Sequence, residues 1–426
     1  MQNFAPLRVG GICINQPDKW ERFIWERVVP FLVLVFIALN PFPHTTAIRE
    51  ISYYSTAALL MFYFYRYHDW SVLKTPLTLP FALFTGWAVI GLFWALDVSA
   101  SANDIRSHLL KYIVLFLLLT IFFNSRGKIR LLFWTIIVSV VISGFHDMYY
   151  FYVVGKNTFM TRMCIPYHQL PVGPLGFMAL FAITLVVHLL RTGEGFWGKC
   201  VLTVCSGGLF LILFVTQMRS LMVTLPFVIV TLFWDKKKLL LAVMLIVIIC
   251  LYLFSTQLRS FENQVSETDR LTINYMSLLL IKERPITGIG FSMETPANNK
   301  LIDHKALRAK VPQKLKNETV EYSSPHNMWL GLAVRLGLVG LFLFIFIIIQ
   351  GVWMCVAGRK QHDNHELRLR GQLCLCLLVL FSVYGLFNEV FMHFLEALLC
   401  VLFATIALLY CEAQKLNNPE IIKATS

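Results

Sequence analysis

Apolar runs of membrane-spanning length recur along almost the whole chain, and no other feature constrains its fold as strongly. A helix needs about 20 mostly apolar residues to cross a hydrocarbon core, because its backbone polar groups must bond internally where there is no water. Twelve spans are predicted, at about 28–40, 47–65, 77–96, 105–123, 129–152, 170–190, 200–216, 220–234, 239–256, 329–356, 371–387 and 390–411. The spans near 200–216 and 220–234 are short and are expected to run past those limits. Hydrophobic residues make up 57% of the 426 and charged residues 14%, against roughly 25% charged in an ordinary soluble domain. A soluble enzyme, a disordered chain and a disulfide scaffold are thereby excluded. The predicted fold class is an all-α, polytopic integral membrane protein with one long loop that contains helices.

The net charge of +13 follows from loop chemistry rather than from nucleic-acid binding, since no basic stripe sits on a soluble region. With the N-terminus in the cytoplasm, the cytoplasmic segments carry twenty Lys and Arg. The short loops opposite carry five, namely Arg49, Arg106, Lys156, Arg162 and Arg219. That bias sets the orientation, and an even span count returns the C-terminus to the cytoplasm. The chain divides into nine spans over 1–256, a large outward loop over 257–328, three spans over 329–411 and a cytoplasmic tail over 412–426. The ten cysteines form no redox or zinc pattern; eight lie in or beside apolar spans, with Cys13 and Cys164 apart, and they read as small apolar residues. No residue set has metal-ligand spacing.

The loop over 257–328 is too long for a connecting turn, and such loops usually carry function. Ser266, Glu267, Thr268 and Asp269 predict a helix start, and Leu271, Tyr275, Leu278, Leu279 and Ile281 give it an apolar face that Pro285 ends. Gly288 and Gly290 predict a turn, a plain one by preference or else one that offers amides to an oxyanion, and a basic helix is expected over 300–316, stopped at Pro312.

Several side chains at this side have chemical potential. Arg219, in a loop of a few residues, is either an interfacial anchor or a bidentate ligand for an anion. His326 stands where the loop re-enters the membrane, as a helix-end histidine or as a general base near neutral pH, with Asn327 able to orient it. Arg162, Arg259, Arg270, Arg284 and Arg308 form either a solvated face or, as a subset, a diphosphate clamp. Glu389, His393 and Glu396 are spaced to share one face of the last span, as a hydrogen-bonded contact by preference, a proton relay, or a weak metal site that lacks a Cys or second His at suitable spacing. His146 with Asp147 and His188 are further polar residues near span ends. Transport is disfavoured because the candidates cluster near the outer surface, not at the midplane.

Three segments in this region resemble a known family. TQMRSLMVTLP at 216–226 resembles the Thr/Ser-Arg element of bacterial O-antigen ligases and polymerases. RLTINYMSLLLIKERPITGIGF at 270–291 resembles the family's Arg-rich helix and Pro-x-x-Gly-x-Gly turn, and HNMWLGLAVRLGLVGLFLF at 326–344 its His-Asn motif. The resemblance implies a metal-independent, cofactor-free glycosyltransferase in the bacterial inner membrane with its site facing the periplasm. It implies undecaprenyl diphosphate-linked O-antigen as donor, and lipid A–core (ligase) or another lipid-linked repeat unit (polymerase) as acceptor. Membrane lipids are further partners. His326 and Arg219 take the catalytic positions, and Arg270, Arg308, Arg162, Arg284 and Asn327 the substrate-binding ones. The long loop with the Arg219 and His326–Asn327 elements is more ligase-like.

Overall fold

The computed structural model describes residues 8–9, 12–13, 18–42, 44–68, 70, 73–159, 161–163, 172–234, 238, 241, 267–322, 324–360 and 364–417. The span expected at 239–256, together with Ser266, Arg259, Cys164 and Cys250, lies outside them. The regular structure among the described residues is helical apart from a ladder of two residues per strand, Arg8–Val9 against Ile12–Cys13. The first helices are α1 (Lys19–Phe23), α2 (Val29–Leu39), α3 (Thr46–Tyr67), α4 (Thr78–Ile90), α5 (Val98–Asp104), α6 (Lys111–Phe122) and α7 (Arg126–Met148). Next come α8 (Val172–Arg191), α9 (Phe196–Thr216), α10 (Arg219–Phe233), α11 (Glu267–Glu283) and α12 (His304–Ala309). The last three are α13 (Met328–Arg359), α14 (His365–Tyr384) and α15 (His393–Asn417).

Among the described residues seven helices are long and apolar enough to cross a membrane: Val98–Phe122, Arg126–Val154, Val172–Arg191, Phe196–Thr216, Met328–Arg359, His365–Tyr384 and Phe394–Leu416. Thr78–Trp94 and Arg219–Phe233 are shorter apolar helices. The remaining expected spans, 28–40 and 47–65, are also helical. On α3 the exposed side chains include Ile51, Tyr54, Met61 and Tyr65, a surface suited to hydrocarbon rather than water. The chain is a multi-pass membrane protein.

The central helices are α8, α14 and α15, whose spans are mostly covered by neighbours. Phe177 and Phe181 on α8 meet Phe381 and Tyr384 on α14, buried toward the end of the bundle where α8 starts and α14 finishes. Small residues let the helices approach closely, as expected where lipid gives no hydrophobic drive to pack. A Cβ at Gly144 would lie 2.2 Å from the Ile212 side chain. One at Gly358 would lie 2.8 Å from Leu409. Cys205, Cys355, Cys374, Cys376 and Cys400 are buried thiols, whereas Cys200 and Cys411 are exposed.

The bundle has two different ends. At one, Arg126 and Arg370 each pair with both Glu366 and Glu412, and Arg130 pairs with Glu194. The other carries residues 267–327, which have a small core of their own: Ile273, Met276 and Leu280 of α11 pack with Ile302, Leu307, Val320 and Tyr322.

This loop docks on a break in α13. Gly337 has φ +69° and ψ −176°, a backbone open essentially to glycine. The bonds missing from the helix are made to the loop: Ile289 N donates to Val334 O, Gly290 N to Arg335 O, and Leu338 N to Pro285 O. The Trp87 indole donates to Leu336 O at 2.9 Å. Irregular backbone at such depth is stable when protein groups replace the lost bonds in this way.

The structure corrects two expectations and decides between the readings of a third element. The basic segment at 300–316 forms a helix over His304–Ala309 alone, followed by a single 3-10 turn at Gln313–Leu315. Its chain turns early because Leu307 and Val311 are drawn into the loop core. Of the two readings of the Gly288–Gly290 turn the plain one holds, since the two amides donate to Arg284 O and Arg335 O rather than facing an oxyanion. Glu389 and Glu396 do not share a helix face, because α15 begins at His393 and Glu389 lies in the preceding turn. Glu389 pairs with Arg335 and Glu396 with His108; the His393 side chain lies outside the described residues.

Candidate active site at the loop end of the bundle

Asn327 is the N-cap of α13. Its Oδ1 accepts from Trp329 N at 2.9 Å and Leu330 N at 3.1 Å, and its Nδ2 donates to Leu386 O at 3.0 Å. Met328 N donates to Gly385 O at 2.8 Å and Asn388 O at 3.1 Å. Residues 326–328 are thus fastened to the turn between α14 and α15. Held there, His326 adopts φ +47°, a left-handed conformation uncommon for a residue with a side chain. Such strain is typical of places where the surroundings force a side chain into position.

The imidazole of His326 is half-buried, and its pKa is lowered from 6.5, first by burial and then by the positive charge of Arg270. Both causes disfavour the protonated form, so the ring is neutral and able to accept a proton at neutral pH. Arg270 stands on the first turn of α11 and is exposed.

Arg219 begins α10 after a sharp reversal: Gln217 caps α9 with φ +46°, and Met218 is extended. The Arg219 side chain is exposed. Arg162 is tied to the same turn, its Nε donating to Thr216 O at 3.3 Å. Close contacts connect this turn to that of His326. A Cβ at Gly173, which starts α8, would meet Tyr384 Oη at 3.1 Å and Met218 Cε at 3.3 Å. A Cβ at Gly385 would meet Met328 Cε at 2.8 Å. The Arg219 and His326 turns therefore flank the start of α8 and the end of α14, at one end of the bundle.

The other two arginines are engaged by backbone carbonyls, Arg308 within the loop and Arg284 at the segment that follows α4. Arg308 donates to Glu318 O and Val320 O, clamping the returning strand of the loop onto α12. Arg284 donates to Trp94 O at 3.2 Å. The fold thus gathers His326, Asn327 and Arg270, with Arg219 and Arg162 on the neighbouring turn, and holds Arg284 and Arg308 by backbone carbonyls elsewhere.

Sequence reasoning passed over Arg335, although an arginine inside an apolar span was the available signal. Its residue is 3% exposed. Its Nη2 lies 3.4 Å from Glu389 Oε1, and its guanidinium lies over the rings of Phe291 and Phe391.

No curated protein matches the chain. Residues 204–345, which contain Arg219, Arg270, His326 and the break at Gly337, match the family model described as O-antigen ligase, and that segment supports a relationship to the O-antigen ligase/polymerase superfamily.

Proposed function

We propose that the protein is an O-antigen ligase, transferring polysaccharide from undecaprenyl diphosphate to lipid A–core at the periplasmic face of the bacterial inner membrane. The observation that carries this reading is His326, held neutral and in a constrained backbone beside cationic Arg270, within the family-matched segment.

In this reading His326 accepts the proton of an acceptor sugar hydroxyl as its oxygen attacks the anomeric carbon of the donor. The new glycosidic C–O bond forms while the bond to the lipid diphosphate breaks. The departing diphosphate gains negative charge, and guanidiniums at a membrane boundary stabilise it because the local dielectric is low and the donors are already in place. Arg219 and Arg270 are the exposed arginines suited to that task, with Arg162 beside Arg219. The polyprenyl tail remains in lipid while the sugar chain extends into the periplasm. The excess of Lys and Arg on the opposite side supports this orientation.

The test is a gel of lipopolysaccharide from a strain lacking the protein. Loss of O-antigen from lipid A–core with accumulation of lipid-linked polymer is expected. Core carrying a single repeat unit would assign a polymerase instead, and an unchanged ladder would remove both.

Two further outcomes are expected. Arg219→Lys keeps the charge but loses the planar fork that grips two phosphate oxygens. It is expected to lower transfer by about tenfold or more, corresponding to about 1.4 kcal/mol; wild-type transfer in both Arg219→Lys and Arg219→Ala would make this residue an interfacial anchor. Arg270→Gln removes a cation that disfavours protonated His326, so the His326 pKa rises. Transfer requires the neutral ring and falls as pH drops through that pKa. In the variant the fall is expected to begin at a higher pH than in wild type, read as the midpoint of the pH–rate profile rather than its height.

A further inference from the structure

Arg335 touches two turns at once. Its carbonyl accepts Gly290 N at 3.0 Å and its guanidinium lies 5.9 Å from the Phe291 ring centroid, so it meets the turn over 285–291 that follows α11. The same guanidinium lies 3.4 Å from Glu389 and 5.2 Å from the Phe391 ring centroid, so it meets the turn over 385–392. That second turn supplies the carbonyls of Gly385, Leu386 and Asn388 that hold Met328 N and the Asn327 side chain. The first turn anchors the helix that carries Arg270. The pair is buried, with side chains 4% and 11% exposed. Glu389 also accepts from Phe391 N at 3.4 Å, bracing its own turn. Gly331 makes room for it: a Cβ there would come within 2.7 Å of Glu389 Oε2.

We infer that Arg335 and Glu389 are positioning residues for the transfer reaction, a buried ion pair that sets the His326 turn in register with the helix bearing Arg270. This rests on the ligase reading of His326 and Arg270. Neither Arg335 nor Glu389 touches substrate. The guanidinium suits the role because it bonds a carboxylate along its edge while stacking on rings with its faces. A lysine would hold the carboxylate but not both aromatic rings.

A purely structural role would be satisfied by any well-packed replacement, since buried ion pairs can often be exchanged for apolar residues without loss of stability. The positioning role would not. The experiment therefore compares Glu389→Gln and the double variant Arg335→Met/Glu389→Leu with wild type, each purified in detergent. Melting temperature, steady-state transfer kinetics and amide hydrogen exchange are measured. In Glu389→Gln, faster exchange is expected in both 286–291 and 385–392, with kcat reduced by about 10- to 100-fold and KM within about twofold, because misplacing a reacting group by an ångström has that effect. The double variant is expected to melt within a few degrees of wild type yet keep the low kcat. Wild-type kcat in the stable double variant, or unchanged exchange in both segments of Glu389→Gln, overturns the inference. If wild type itself shows no transfer from a lipid diphosphate donor, the ligase reading falls, and the exchange result still decides whether the pair couples the two turns.

Discussion

Replacing His326 by Ala is expected to abolish O-antigen transfer while leaving the protein at normal abundance in the membrane. A general base contributes about 10²–10⁴-fold, enough to erase the polymer ladder from a lipopolysaccharide gel. His326 already bears a Cβ at φ +47°, so alanine inherits that backbone strain while also removing the imidazole's packing. His326→Asn separates the two effects, because Asn tolerates the left-handed region but is not a base. Equal loss of transfer in both variants, with normal membrane levels by immunoblot, assigns the defect to proton transfer. Normal transfer in either variant removes His326 from the mechanism.

Gly337→Ala is expected to be the most destabilising glycine substitution in the matched segment. The added Cβ would lie 2.0 Å from Ile286 O and 2.9 Å from Gly288 N, so either the break in α13 or the docked turn must move. Backbone strain and the weakening of three bonds, from Ile289, Gly290 and Leu338, together are expected to cost about 4 kcal/mol. The measurement is thermal unfolding of the purified protein, with proteolysis of the loop as a second readout. Gly86→Ala in α4 is the control, since nothing lies within 4 Å of its new Cβ and Ala favours a helix. A melting temperature for Gly337→Ala equal to that of the control would show that the docked turn does not depend on the break.

Membrane residence, the helical class and most helix positions were legible in the sequence because they depend on local quantities. Length and apolarity act within a single span, and the helices at 28–40, 47–65 and 329–356 appear where those quantities place them. The start of α11 was legible for the same reason, as acidic residues ahead of an apolar stripe mark a helix N-terminus whatever lies around it.

Tertiary structure decided what depends on partners distant in the chain. The regular spacing of Glu389 and Glu396 suggested one helical face, yet Glu389 is drawn into a turn by Arg335, 54 positions away. Gly288 and Gly290 looked able to bind an anion, yet their amides bond to carbonyls, that of Gly290 to one exposed by a break in another helix. By the family resemblance Arg308 is a candidate substrate-binding arginine, yet the carbonyls of Glu318 and Val320 claim its guanidinium. Arg335 attracted no notice inside its apolar span, although it joins the two turns of the candidate site. A polar group buried in or near a membrane takes the nearest good partner, because leaving it unbonded costs several kcal/mol. Which partner is nearest is set by how the helices pack, and spacing along the chain carries no record of that.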